Sequence, residues 1–417
     1  MKLLTLENSL RIILDKKDDL RSATLGVWFA AGSRYEEKKE SGISHFIEHM
    51  VFKGTEKRSA FEIAEGMDAI GAQVNAYTTK EYTFFYTKAL DYQLLNAADI
   101  LLDMIKNPRF DKEDIETEKG VIAEEIAMCE DDPSDVCYEI NESAIFENTN
   151  LSGTILGTKE SIYSFVPDDF KRYMKKFYVP ERMVVGVSGN FDEKEILQKI
   201  SEYFGNDAST DFELKEEKTQ FKKSFTLKER SFEQTHLMLS FDGVGIEDKE
   251  LYALQVCMFI LGNGSSSRLN QRIREQLGLV YEISSWLGRY LGGGYIAVYM
   301  SLSPQSEEKA LFETCKIIRE LSSTLTEKEL STAKEKLTAS LIMSREQPQS
   351  KLSYFGYCQL LLSKFIEDDS IIESIKGVTL DEVKAAAEKY LKLEKAAFTA
   401  VGNIKEKEFY ERIIKEG

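Results

Sequence analysis

Histidine is scarce in this chain: only three occur in 417 residues. Long apolar runs are missing too, and no stretch approaches the about 20 residues of a membrane-spanning helix. Basic side chains fall short of acidic ones, 54 against 71, for a net charge of −17. Nucleic acid and anionic membrane surfaces both demand a basic face, so neither is expected as a partner. The five cysteines, Cys129, Cys137, Cys257, Cys315 and Cys358, are odd in number and scattered without metal-type spacing. They read as reduced thiols, not as a disulfide framework. The opening residues Met1 to Asn8 lack the apolar core of a signal peptide. A cytoplasmic location is the expectation.

What remains is an ordinary globular balance, 42% hydrophobic and 30% charged. The length allows two sizeable cores. The acidic excess is read as a source of solubility.

Two of the three histidines lie in Ser44-His45-Phe46-Ile47-Glu48-His49-Met50. On a helix, residues i, i+3 and i+4 share a face, so His45, Glu48 and His49 project together. Two imidazoles at that spacing can reach one zinc ion, and the carboxylate beside them can take a proton from water. The order H-x-x-E-H inverts the commoner H-E-x-x-H pattern. Ile43, Phe46, Ile47 and Met50 form the apolar side on which such a helix packs.

The flanking chain alternates strands and helices. Strands are expected around 10–14 and 23–29. A helix follows at 59–70, with Ser59 and Glu62 as a capping box. Strands at 73–78 and 82–88 form a hairpin, and helices are expected at 90–105 and 111–128. Two further helices precede a strand at 183–189. Polar residues 205–222 read as a linker. The pattern then restarts: a strand at 236–241, helices at 251–261 and 268–277, strands at 280–286 and 295–302, helices at 307–321 and 327–343, and a strand at 396–402. The closing strands of both runs end in Gly-Asn, at Gly189-Asn190 and Gly402-Asn403. This is a duplication with a period of about 210 residues. The expected fold is α+β: two duplicated α/β-sandwich halves, 1–210 and 211–417, each a mainly antiparallel sheet covered by helices. Aligned at Gly54 and Gly262, the positions of His45, Glu48 and His49 meet Ala253, Val256 and Cys257. The second copy keeps the helix and loses the chemistry, so the fold does not need the trio.

A catalytic zinc takes three protein ligands as a rule. The remaining histidine, His236, falls on a strand and reads as a packed residue, which leaves a carboxylate. On the helix 111–128, Ile115, Val121, Ile122 and Ile126 define an apolar stripe that Glu118 and Glu125 share, two turns apart, or about 10.5 Å along the axis. Either they serve a cation or hydrogen-bonding partner, or they lie at the stripe's edge and reach water. Glu124 points elsewhere.

These residues resemble the M16 zinc peptidases, the inverzincins, which include pitrilysin, insulin-degrading enzyme and the mitochondrial processing peptidases. The resemblance rests on His45-Phe46-Ile47-Glu48-His49 with Glu125 in Glu118-Lys119-Gly120-Val121-Ile122-Ala123-Glu124-Glu125, and extends over essentially the whole chain. It implies His45, His49 and Glu125 as ligands of one Zn2+ per chain, Glu48 as general base, and Glu118 as a group that orients a ligand. It implies that the strand carrying Asn75 and Ala76 pairs with an extended peptide substrate. The segment Arg274-Glu275-Gln276-Leu277-Gly278-Leu279-Val280-Tyr281 is similar to one that carries a substrate-holding Arg/Tyr pair. Arg274 and Tyr281 match it, with Arg272 as a competing arginine, and Tyr281 would also assist at the oxyanion. Residues 1–210 would then be the catalytic half and 211–417 an inactive half that contributes substrate contacts. The expectation is a zinc metalloendopeptidase cutting peptides or unfolded segments in a closed chamber, as a homodimer or a heterodimer with a related chain. Two alternatives stand beside it: a non-catalytic or partner-dependent subunit of such a heterodimer, and a zinc enzyme acting on a non-peptide substrate.

Overall fold

The computed structural model describes residues 1–208 and 219–417. The expected boundary at 210/211, and most of the expected linker at 205–222, lie outside the described residues.

In chain order the strands are β1 (Lys2–Thr5), β2 (Arg11–Lys16), β3 (Ser22–Phe29), β4 (Gln73–Thr78), β5 (Thr83–Leu90), β6 (Met183–Gly189), β7 (Phe225–Glu229), β8 (Thr235–Asp242), β9 (Glu282–Tyr290), β10 (Gly293–Leu302) and β11 (Ala397–Gly402). The helices are α1 (Ile43–Val51), α2 (Ala60–Ala69), α3 (Leu94–Lys106), α4 (Lys112–Asp131), α5 (Pro133–Ile145), α6 (Lys159–Ser164), α7 (Pro167–Phe177), α8 (Glu193–Phe204), α9 (Leu251–Leu261), α10 (Glu307–Thr324), α11 (Glu327–Arg345), α12 (Pro348–Leu362), α13 (Asp368–Gly377), α14 (Leu380–Tyr390) and α15 (Lys407–Glu416).

The chain forms two compact units. One gathers 1–127, the described residues of 153–215, and 343–366; the other gathers 128–152, the described residues of 216–342, and 367–417. The first unit holds a six-stranded sheet in the order β1-β2-β6-β3-β5-β4, and the second a five-stranded sheet in the order β7-β11-β8-β10-β9. Among the described residues only β2–β6 and β7–β11 are parallel pairs. Setting β2, β6, β3, β5, β4 against β7, β11, β8, β10, β9 gives the same topology with the same single parallel pair, plus one extra edge strand, β1. The α+β duplication expected from the two Gly-Asn strands is therefore present strand for strand.

Each unit also takes a helix from the other part of the sequence. α12 covers β3 and β6 in the first unit, and α5 covers β8 and β11 in the second. The fit of α12 depends on a small residue: a Cβ on Gly356 would lie 2.5 Å from the Trp28 indole, which is buried against it. On the opposite face of the first sheet, Leu25, Val27 and Phe29 of β3 pack with Phe46 and Ile47 of α1, Leu101 of α3 and Ile122 of α4 in one core. Burying each of these large side chains contributes about 1.5–3 kcal/mol.

Among the described residues no helix is long and apolar enough to cross a membrane.

Candidate metal centre

Helix α1 begins without a side-chain cap of its own. Gly42 precedes it at φ 90°, a left-handed conformation, and a Cβ there would meet the Leu156 carbonyl at 2.5 Å. The first free amides are taken by Glu36 instead: its carboxylate accepts from Gly42 N at 2.7 Å and from Ser44 N at 2.9 Å. Enclosure of the carboxyl end pushes the Glu36 pKa up to about 7, although these amide bonds oppose the rise. Ser44 Oγ is bonded to the buried Tyr173 hydroxyl at 2.8 Å. Ile43, Phe46, Ile47, Met50 and Val51 are all buried, as the apolar side of the motif requires. The helix is thus anchored by its core face and by its N-terminus.

His45, Glu48 and His49 share one face of α1, and α4 brings Glu125 to it. His45 Nε2 lies 3.7 Å and His49 Nε2 3.6 Å from Glu125 Oε2. One donor atom from each of the three residues falls within 4.8 Å of the others. Bonds of about 2.0–2.1 Å to a tetrahedral ion place its ligands about 3.4 Å apart, so this donor set fits a zinc-sized cation. Burial, with the charge of His49 adding to it, pushes the His45 pKa down to about 3, which leaves a neutral imidazole with a free lone pair. His49 Nδ1 is 2.7 Å from Glu118 Oε1. A carboxylate only accepts, so the proton sits on Nδ1 and Nε2 remains for a cation. Burial alone would lower the His49 pKa, but the bond to Glu118 and the surrounding carboxylates outweigh it and raise it.

Glu118 is enclosed at 3% exposure. Burial would raise its pKa, yet His49 and Lys53 together hold it below the usual carboxylate range. Lys53 Nζ, in the turn after α1, reaches Glu118 Oε2 at 2.5 Å. Glu48 is pushed the other way. Burial raises its pKa, against the bonds it accepts from Thr78. Thr78 Oγ1 donates to Glu48 Oε2 at 2.6 Å.

The stripe on α4 needs one correction. Ile115, Glu118, Ile122 and Ile126 are buried, but Val121 is 48% exposed. At 3.6 residues per turn the buried sector centres on Ile115, Ile122 and Ile126. Glu118 falls at its margin, Glu125 further round, and Val121 beyond both. The Glu125 side chain is accordingly 39% exposed, so it presents a carboxylate at the rim. Glu124 is exposed, as expected.

Asn75 and Ala76 lie on β4, the edge strand of the first sheet. The Gln73 carbonyl accepts from Thr87 on the β5 side, so alternation along an antiparallel strand turns the amides of Val74, Ala76 and Thr78 outward. The Ala76 amide donates to Asn75 Oδ1 at 2.8 Å.

Arg274 and Tyr281 belong to the second unit. The segment expected as a helix at 268–277 is a π-helical turn over Asn270–Gln276. Arg272 is engaged by Glu313 at 3.2 Å, whereas Arg274 is exposed with no ion pair among the described residues. Tyr281 is 61% exposed just before β9. His236 is buried and bonded through Nδ1 to the Tyr299 hydroxyl at 2.7 Å, the packed role expected of it. In α9, Ala253, Val256 and Cys257 are buried in the second core where α1 carries its trio. Burial raises the Cys257 thiol to about 12, so it is inert.

Sequence reasoning missed Thr78, Lys53 and Glu36. Thr78 had no usable signal, because Glu48 is 30 residues away on another element; Glu36 had none, because it lies in the loop before α1 and bonds Gly42 and Ser44 six and eight residues on, outside any helical or strand spacing. Lys53 had one: it stands four residues after His49, in the turn that follows α1.

Comparison with known proteins adds a second line of observation. Residues 11–159 match the family described as insulinase (peptidase family M16), and 164–337 match the peptidase M16 inactive domain. The uncharacterized zinc protease YmxG of Bacillus subtilis is 38% identical over 93% of this chain and 95% of its own length. A similarly named zinc protease of Streptomyces coelicolor, SCO5738, is 32% identical over 97% of this chain and 90% of its own. The crystal structure of a peptidase M16 inactive domain from Pseudomonas fluorescens superposes with a TM-score of 0.89 at 19% identity, covering 97% of this chain and 98% of the other.

Proposed function

The chain belongs to peptidase family M16, and from that membership we propose that it is a zinc-dependent endopeptidase with His45, His49 and Glu125 as the metal ligands. The observation that carries the reading is the convergence of three donor atoms on one point, with His49 fixed by Glu118. The names of its relatives supply the choice of zinc. Bound zinc would supply Lewis-acid activation of a water and of the peptide carbonyl.

The chain's own residues do the rest. Glu48, beside the donor set and with its pKa raised by burial, takes a proton from the attacking water and returns it to the leaving amine. Glu118 keeps the proton on His49 Nδ1 and the ring in place. The outward edge of β4 binds substrate as an added strand, so backbone hydrogen bonds set register with little demand on sequence. The Asn75 side chain, which occupies the Ala76 amide, turns aside for that strand and becomes available to the developing oxyanion. Arg274 and Tyr281 hold the substrate, and Tyr281 adds a hydroxyl at the oxyanion. The absence of an ion pair on Arg274 among the described residues, against the Glu313 partner of Arg272, favours Arg274. Two chains pair and enclose a chamber that admits peptides and unfolded segments.

The test is digestion of a peptide library read by mass spectrometry, with and without a chelator. The proposal predicts cleavage that stops with chelator and returns when zinc is restored. Cleavage indifferent to chelator, or none from zinc-loaded protein, contradicts it.

A further inference from the structure

We infer that Thr78 is a positioning residue for Glu48, and that through it the alignment of the base depends on the strand along which the peptide docks. The inference rests on the assignment of Glu48 as the base. Thr78 is the last residue of β4, and its hydroxyl donates to Glu48 Oε2 at 2.6 Å. A threonine hydroxyl has one proton to give. Its other neighbour, Thr83 Oγ1 at 3.4 Å, is more distant and uncharged, and Thr83 gives its own proton to the Ala31 carbonyl at 2.9 Å. The Thr78 proton therefore goes to Glu48.

That bond has a consequence for the site. α1 is held at its N-terminus by Glu36 and along its core face, but the carboxylate of Glu48 is set by the end of a different element, the edge strand. A peptide added to β4 runs along the amides of Val74 and Ala76 and reaches the end of the strand where the Thr78 hydroxyl holds Glu48. Strand order and base geometry are thus joined at one residue.

The experiment compares Thr78→Val, which keeps the β-branched shape and removes the hydroxyl, with Thr78→Ser, which keeps the hydroxyl. Losing a hydrogen bond to a charged group predicts a fall in kcat of about 10- to 100-fold for Thr78→Val. KM and zinc content should stay at wild-type values, and Thr78→Ser should recover most of kcat. An unchanged kcat in Thr78→Val while Glu48→Gln is inactive overturns this inference alone. A raised KM with unchanged kcat also overturns it, because Thr78 would then serve only the docking strand. A fully active Glu48→Gln overturns the base assignment and the inference together. If valine unfolds the hairpin, Thr78→Ala against Thr78→Ser supplies the same contrast.

Discussion

Replacing Glu118 by glutamine separates the metal centre from the rest of α4. The carboxylate is enclosed, so its 2.7 Å bond to His49 Nδ1 is not exchanged for water, and its second oxygen neutralises Lys53 at 2.5 Å. Glutamine keeps the size and loses the charge. If its carbonyl faces His49, its NH2 group faces the Lys53 ammonium; if it turns over, two donors meet at His49. The first arrangement is the less costly, because Lys53 is 34% exposed and can swing into water. The imidazole then keeps a hydrogen bond but loses the anion that raises its basicity. Loss of such a ligand partner weakens metal binding by about 10- to 100-fold, or roughly 1.4–2.8 kcal/mol. The assay is zinc competition against a chromophoric chelator, with a thermal melt of the metal-free protein as the folding control. Zinc affinity within about twofold of wild type, in a variant that melts normally, would refute the claim that Glu118 tunes His49.

Three further outcomes follow from the same geometry. Glu36 has a folded pKa of about 7 against an ordinary value of 4.5, so the native state binds its proton more tightly and its contribution to stability is lost as pH rises through that window. Chemical denaturation with chelator present should show wild type losing stability relative to Glu36→Ala between about pH 5 and 7, by at most about 1.4 kcal/mol per pH unit; parallel curves would contradict the shift. Arg274→Ala should raise KM with little change in kcat or zinc content, whereas Arg272→Ala should leave KM unchanged; the reverse pattern in steady-state kinetics would transfer the role to Arg272. Light scattering at micromolar concentration should give the mass of a dimer, and a clean monomer would contradict the paired chamber.

Much of the fold was legible because local signals agreed. The α2 capping box of Ser59 and Glu62, the glycine that ends α9, and the alternation in β4 and β5 all placed elements close to where they occur. The short strands β1 and β7 were not seen, since each is an exposed or half-exposed edge that draws its order from a neighbour rather than from its own pattern. The expected single helix over 90–105 starts later, because Asp91–Gln93 first makes a tighter turn. The exchange of α5 and α12 between the units was invisible for a different reason. The seating of α12 depends on Gly356 meeting Trp28, residues more than 300 apart, and one-dimensional periodicity carries no such information. At the site, His45, Glu48 and His49 were readable because helical spacing puts them on one face. Val121 was misplaced because i+3 from Glu118 was taken to lie on the buried side when it falls past Glu125. Thr78 could not be read at all: 30 residues and a change of element separate it from Glu48.

The central claim, that this donor set serves peptide hydrolysis with Glu48 as the base, is tested most directly by assaying Glu48→Gln for zinc stoichiometry and peptide cleavage on one sample. Glu48 contributes no ligand to the three-atom group, so the account predicts zinc bound as in wild type and cleavage abolished. A variant that holds zinc and cleaves as fast as wild type would contradict it.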